Sequence, residues 1–160
     1  MGSKSDLDHC RKIVETCQKL GIETIMRIAS AHKTAARLLE ILANYEADPR
    51  PKVFITVAGR SNALSGMVDA SVSAPVIACP PTSSSFGGAD IYSSLRMPSG
   101  VAPMVILEPE NAALAAAKIF GQSNPDIFTK VKAYQENHRQ RLYAADEEIN
   151  NRFPSEPQNS

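Results

Sequence analysis

Three short apolar runs constrain this chain more than any other feature: Val53 to Val57, Pro75 to Cys79 and Met104 to Leu107. Each is the length of one strand, and none alternates apolar with polar residues. That is the pattern of strands buried on both faces. Between and around them, apolar residues recur at the three- and four-residue spacing of helices with one buried face. Leu38, Ile41, Leu42 and Tyr45 form such a stripe in a helix from about Thr34 to Glu46, and an Ala-rich helix runs from Pro109–Glu110 to Phe120. Weaker helices are expected through Met67 and Val72 and around Ile91 to Leu95, with a further strand over Ile22 to Ile28. Strand alternating with helix predicts an α/β protein. Its sheet is parallel and doubly wound, a three-layer flavodoxin- or Rossmann-like sandwich, followed by a long C-terminal helix.

The two ends of the chain refine this. Asp6 stands where it can cap a helix that carries Cys10, Ile13, Val14 and Cys17 on one face and stops at Gly21. Cys10 and Cys17 therefore read as core residues. From Pro125 one long helix carries Ile127, Val131, Tyr134, Leu142, Ala145 and Ile149 on a stripe, with His138 filling its gap. A compact domain cannot cover a stripe of that length by itself, so the helix reads as an arm that docks on another subunit, making a homo-oligomer. The expected division is an α/β domain over 1–122, the arm over 123–153, and a polar, disordered tail over 154–160. A sheet of this kind normally opens with an apolar strand that leads into its first loop. Met1 already lies in that loop, so either the sheet is built without the strand or the sequence begins late.

Composition removes several function classes. Seventeen Lys and Arg balance seventeen Asp and Glu, without the basic excess of a sequence-independent nucleic-acid binder. No apolar run is long enough to cross a bilayer, and MGSKSD lacks an apolar signal core, so a cytoplasmic protein is expected. Three cysteines, an odd number without CxxC spacing, argue against a disulfide scaffold or a zinc site. No metal or other cofactor is called for.

In such sheets, the loops leaving the carboxyl ends of the strands build the site. Here those are Gly2 to Asp6, Ser30 to Lys33, Ala58 to Asn62 and Ser83 to Gly88. The first joins small residues to a helix N-terminus, which suits an anion, although spacing alone favours Asp6 and the serines Ser3 and Ser5 as no more than helix caps. His32 is the histidine at a strand's carboxyl end, where a group titrating near neutral pH can act as acid or base. His9 and His138 read as packing or surface residues. Gly59–Arg60–Ser61–Asn62–Ala63 approaches the nucleophile elbow of serine hydrolases, but Ala63 replaces the last glycine. A triad there would need Asp90 and the distant His138. Arg60 and Ser61 read better as donors to a carboxylate or phosphate. Cys79 reads as a buried strand-end thiol rather than a nucleophile.

Taken in order, MGSKSD, SAHKT, AGRSNALSGMVD, PVIACPP, ADIYSSLRMPSG and NAALAAAKIF resemble the aminoimidazole ribonucleotide carboxylase family of purine biosynthesis, over Met1 to about Gly121. The family has two classes. One resembles SAHRT in the second loop and GAAHLPG in the third, and moves a carboxyl group from an N-carboxylated substrate. This chain has Lys33 and a third loop of Gly59–Arg60–Ser61–Asn62–Ala63–Leu64–Ser65–Gly66. That resembles the second class, found as a domain of the bifunctional animal enzyme and as a stand-alone protein, which uses carbon dioxide itself.

The resemblance implies roles for named residues. His32 would be the acid/base at the ring carbon, and Ser3 and Asp6 would hold the ribose phosphate. Ser30 and Lys33 would hold phosphate or the developing carboxylate. Gly59, Arg60 and Ser61 would form the carbon dioxide pocket, and Gly87 and Gly88 would let a loop approach the base closely. It also implies an octamer, and a strand directly before the MGS motif that this sequence lacks. The alternatives are the mutase activity of the first class and a non-catalytic nucleotide-binding or receiver-like module on the same architecture.

Overall fold

The computed structural model of the chain describes residues 1–83 and 85–153. The polar tail expected from Pro154 onward, and Ser84 of the fourth loop, lie outside the described residues. Three parallel strands form an open sheet in the order β1 (Phe54–Thr56), β2 (Val76–Ala78), β3 (Met104–Val105). Phe54 pairs with Val76 and Thr56 with Ala78, while Ile77 pairs with Met104 on the other side. The central strand is therefore enclosed on both edges and both faces, and every residue of it is buried.

Helices cover the two faces, as the double winding requires. On one face α1 (Leu7–Lys19) and α5 (Pro109–Gly121) pack Cys10, Ile13, Cys17, Ala112, Ala113 and Ala116 against Val57, Ile77 and Cys79. The alanines, all on α5, let that helix backbone approach the strands with little side-chain volume between them. On the other face α2 (Ala35–Glu46) and α3 (Ala63–Asp69) bring Leu38, Ile41, Leu42, Leu64 and Val68 onto Val76. After the short α4 (Tyr92–Leu95), the chain returns through β3 and α5 to α6 (Pro125–Arg152).

The long helix divides physically in two. Asn124 caps it, its side-chain oxygen accepting from the N–H groups of Asp126 and Ile127, and Pro125 occupies the first turn, where a missing N–H costs nothing. Ile127 and Val131 pack with Leu20 and Ala117 into a third small core, with Tyr134 half-buried beside them. From Glu136 onward every residue of the helix is exposed, including Leu142 and Ile149 of the stripe.

One expected element is absent as a strand. Residues 22–28 form neither helix nor strand. The Met1 amino group donates to Arg27 O at 2.8 Å, Ala29 N donates to Met1 O at 3.1 Å, and Gly2 N donates to Val57 O at 2.9 Å. Met1 and Gly2 thus bridge residues 27–29 to the end of β1. Behind that bridge the two segments face each other across an apolar cleft of about 440 Å³, lined among others by Ile22, Ile25, Leu38, Val53 and Ile55. A strand is a property of a pair of segments. Apolar composition at Ile22 to Ile28 does not create one without a partner backbone at hydrogen-bonding distance.

Candidate active site

The bridge made by Met1 and Gly2 brings three of the four expected loops together at the carboxyl end of the sheet. In the first, Ser3 has an extended backbone and caps a single 3₁₀ turn, Lys4–Asp6, leading into α1. Ser5 N donates to Ser3 Oγ at 3.2 Å, and Ser3 N donates to Asp6 Oδ2 at 3.0 Å, a reciprocal capping box. Asp6 occupies the cap position of α1 but makes no side-chain cap bond to it, contrary to expectation. Its carboxylate is already committed to the Ser3 N–H, one turn earlier. The Ser3 and Ser5 hydroxyls remain exposed.

Thr34, which the sequence reading did not single out, ties the second loop. Its Oγ1 accepts from Ser30 N at 2.9 Å and donates to Ser30 O at 3.2 Å, while Lys33 N donates to Ser30 Oγ at 3.2 Å. The turn this makes presents His32 and Lys33 to solvent. Lys33 forms no ion pair among the described residues.

In the third loop, Arg60 adopts a left-handed backbone with φ of 60°, and Asn62 caps α3 through its side-chain oxygen. Between them Ser61 Oγ lies 3.3 Å from His32 Nε2. Two exposed groups from loops 29 positions apart are thereby in hydrogen-bond contact. A hydroxyl can donate to a neutral imidazole nitrogen and accept from a protonated one, so this contact survives a proton's arrival on His32. Among the described residues no carboxylate binds His32. Asp90 accepts from Arg60 N at 3.1 Å instead, and His138 lies exposed on α6 against Tyr134, with ring centres 4.7 Å apart. The hydrolase triad is therefore not assembled.

In the fourth loop, Phe86, Gly87 and Gly88 form a left-handed run with φ of 59°, 58° and 80°. A Cβ placed on either glycine would meet nothing within 4 Å. The backbone angle, rather than a close approach within this chain, accounts for glycine at both positions.

Cys79 directly follows β2 and is fully buried, and His9, distant in sequence, comes to it: His9 Nε2 lies 3.2 Å from Cys79 Sγ. A histidine beside a thiol can make a nucleophile, yet here burial, with Cys10 and the Glu108 and Glu110 carboxylates nearby, pushes the Cys79 thiol up to about 12. Burial likewise lifts Cys17 to about 11 and lowers His9 below its usual value, with Lys12 adding to the latter. In native protein at pH 8, iodoacetamide is expected to leave all three cysteines unmodified over an hour, with three equivalents reacting after denaturation. Rapid native labelling of Cys79 by mass spectrometry would make it a reactive thiolate after all.

Comparison with known proteins agrees with this architecture. A family model described as AIR carboxylase matches residues 1–141. A phosphoribosylaminoimidazole carboxylase of Archaeoglobus fulgidus is 60% identical over 149 residues, 93% of this chain and 82% of that protein. One from Treponema denticola is 54% identical over the same length, 94% of that protein. The bifunctional carboxylase/succinocarboxamide synthetase of Rattus norvegicus is 45% identical, this chain spanning 35% of it. The crystal structure of Treponema denticola PurE superposes with a TM-score of 0.90 at 52% identity, covering 97% of this chain and 96% of that one.

Proposed function

The chain belongs to the AIR carboxylase family, and on that premise we propose that it carboxylates aminoimidazole ribonucleotide with dissolved carbon dioxide, a step of purine biosynthesis. The observation that carries the reading is the convergence of His32 with Ser61 beside the exposed cations Arg60 and Lys33. The substrate's aminoimidazole is electron-rich, and its ring carbon behaves as an enamine carbon. It attacks carbon dioxide, forming the new carbon–carbon bond as one C=O π pair moves to oxygen. The product of that attack has lost ring aromaticity and still holds a proton at the ring carbon that now bears the carboxylate. His32 takes this proton through Nε2, the ring recovers its aromaticity, and the carboxylate is retained. In reverse, His32 returns the proton and carbon dioxide leaves.

The other loops hold the reactants. Ser3, Asp6 and the start of α1 bind the ribose phosphate end, where a helix N-terminus favours negative charge. Ser30 and Lys33 bind phosphate or the forming carboxylate. Gly59, Arg60 and Ser61 line the space for carbon dioxide, and the glycine-bearing loop at Gly87 and Gly88 borders the base. Holding a small, weakly polar gas against the ring carbon is the main task, and orientation of this kind lowers barriers by on the order of 7–11 kcal/mol at best.

Between the family's two chemistries, the third loop supports carbon dioxide. No histidine stands between Ala58 and Gly66, and Arg60 and Ser61 take the place of a group that would manage protons during carbamate breakdown. The exposed stripe on α6 supports assembly of identical subunits, an octamer in the form the family resemblance suggests. Purine metabolism points to the cytoplasm, and no helix among the described residues is long and apolar enough to cross a membrane. The test supplies aminoimidazole ribonucleotide and bicarbonate with and without carbonic anhydrase, beside the N-carboxylated compound alone. Turnover is expected to follow free carbon dioxide. Efficient conversion of the N-carboxylated compound while carbon dioxide is trapped would overturn the assignment.

A further inference from the structure

Asp90 contributes no group to the reaction described above, yet it grips the loop that does. Its Oδ2 accepts from the backbone N–H of Arg60 at 3.1 Å. Ser93 Oγ lies 2.8 Å from the carbonyl oxygens of both Arg60 and Asp90 and donates between them. Both backbone polar groups of Arg60 are thus held by the segment from Asp90 to Ser93. Arg60 is also left-handed at φ of 60°, a conformation that a residue with a Cβ keeps only when its surroundings impose it.

The far side of Ser61 is held as firmly. Asn62 is buried, donating from Nδ2 to Ser94 Oγ at 2.7 Å and accepting from Ser65 Oγ at 2.8 Å. Ser65 Oγ lies 2.9 Å from Thr56 Oγ1, which also reaches Ile77 O at 3.3 Å. A chain of buried hydrogen bonds therefore anchors the end of the loop to the two strands β1 and β2. Ser61 sits between these two anchors, exposed, and its hydroxyl's contact is with His32. Its position is set by its neighbours.

Building on the proposed carboxylase reading, we infer that Asp90 is a positioning residue for the reaction: it imposes the left-handed turn at Arg60 and thereby places the Ser61 hydroxyl against His32 Nε2. The ionised carboxylate is a strong acceptor for a backbone N–H, and an amide oxygen in the same place can accept the same proton.

The test measures kcat, KM and thermal midpoint for Asp90→Ala and Asp90→Asn, each in wild-type and Ser61→Ala backgrounds. Asp90→Ala is expected to lower kcat about 30-fold with KM within about threefold, and to change kcat less than about threefold once Ser61 is alanine. Asp90→Asn is expected to stay within about fivefold of wild type. The His32 Hε1 resonance gives a readout without turnover: Asp90→Ala should move it towards its position in Ser61→Ala, and Asp90→Asn should leave it in place. Equal losses in both backgrounds, an asparagine as damaging as alanine, or an unmoved resonance would each overturn the positioning role. A wild-type protein that does not consume aminoimidazole ribonucleotide would overturn the function reading instead, while the resonance still decides the role of Asp90.

Discussion

His32→Asn is expected to lower carboxylation by three orders of magnitude or more while leaving the protein folded. General acid–base groups contribute roughly 10²–10⁴ in rate, and here the proton at the carboxylated ring carbon has no other nearby side chain assigned to receive it. Carbon–carbon bond formation does not need that group, so the variant still forms the non-aromatic adduct, which then reverts by losing carbon dioxide. Forward carboxylation and reverse decarboxylation should therefore fall by the same factor, since the same proton transfer serves both. Stability should change by no more than about 0.5 kcal/mol, because His32 is exposed and its hydrogen-bonded neighbour is the equally exposed Ser61. Product assays in both directions, with a chemical denaturation curve, decide the matter. Wild-type rates in either direction would remove His32 from the mechanism.

Ending the chain at Asn124 is expected to yield smaller particles and a much less stable fold. The cut exposes Leu20 and Ala117 and removes Ile127 and Val131 from their shared core. At about 1.5–3 kcal/mol for each large side chain withdrawn from water, the loss is roughly 3–6 kcal/mol. That is a large part of the total stability of a typical domain. A second cut, after Gln135, separates the two halves of the helix. It keeps Ile127, Val131 and Tyr134 on their own domain but removes Leu142 and Ile149. That version should denature close to the full chain at equal subunit state, yet scatter light as a smaller particle. Unchanged mass after the second cut would show that the exposed stripe joins no subunits.

The elements that were legible in the sequence are those whose evidence is local. The apolar runs at Val53, Pro75 and Met104 became β1, β2 and β3, and the stripe of Leu38, Ile41 and Leu42 became the buried face of α2. The strand expected at Ile22 to Ile28 failed because pairing depends on a second segment, which the pattern of one segment does not report. Among the site residues, the sequence placed His32 and Ser61 in loops on the same edge but could not bring them to 3.3 Å. Asn62 did carry a local signal, an asparagine directly before a helix, and it serves as the cap of α3. Asp90 carried none, since its carboxylate acts on a backbone N–H thirty residues earlier. The contact between His9 and Cys79 spans seventy residues and is invisible to any motif.

The left-handed turn at Arg60 bears on how this protein can change over generations. A residue with a Cβ gives up on the order of 1–2 kcal/mol in that conformation, and glycine would not. A lineage sorted for thermal tolerance alone would therefore drift towards glycine at position 60, gaining robustness and shedding the guanidinium. On the proposed role of Arg60, a lineage that depends on its own purine supply would not follow. If Arg60 serves the carbon dioxide pocket as proposed, it marks the place where selection for folding and selection for metabolic flux oppose each other, with Asp90 and Ser93 holding its backbone in the costly turn.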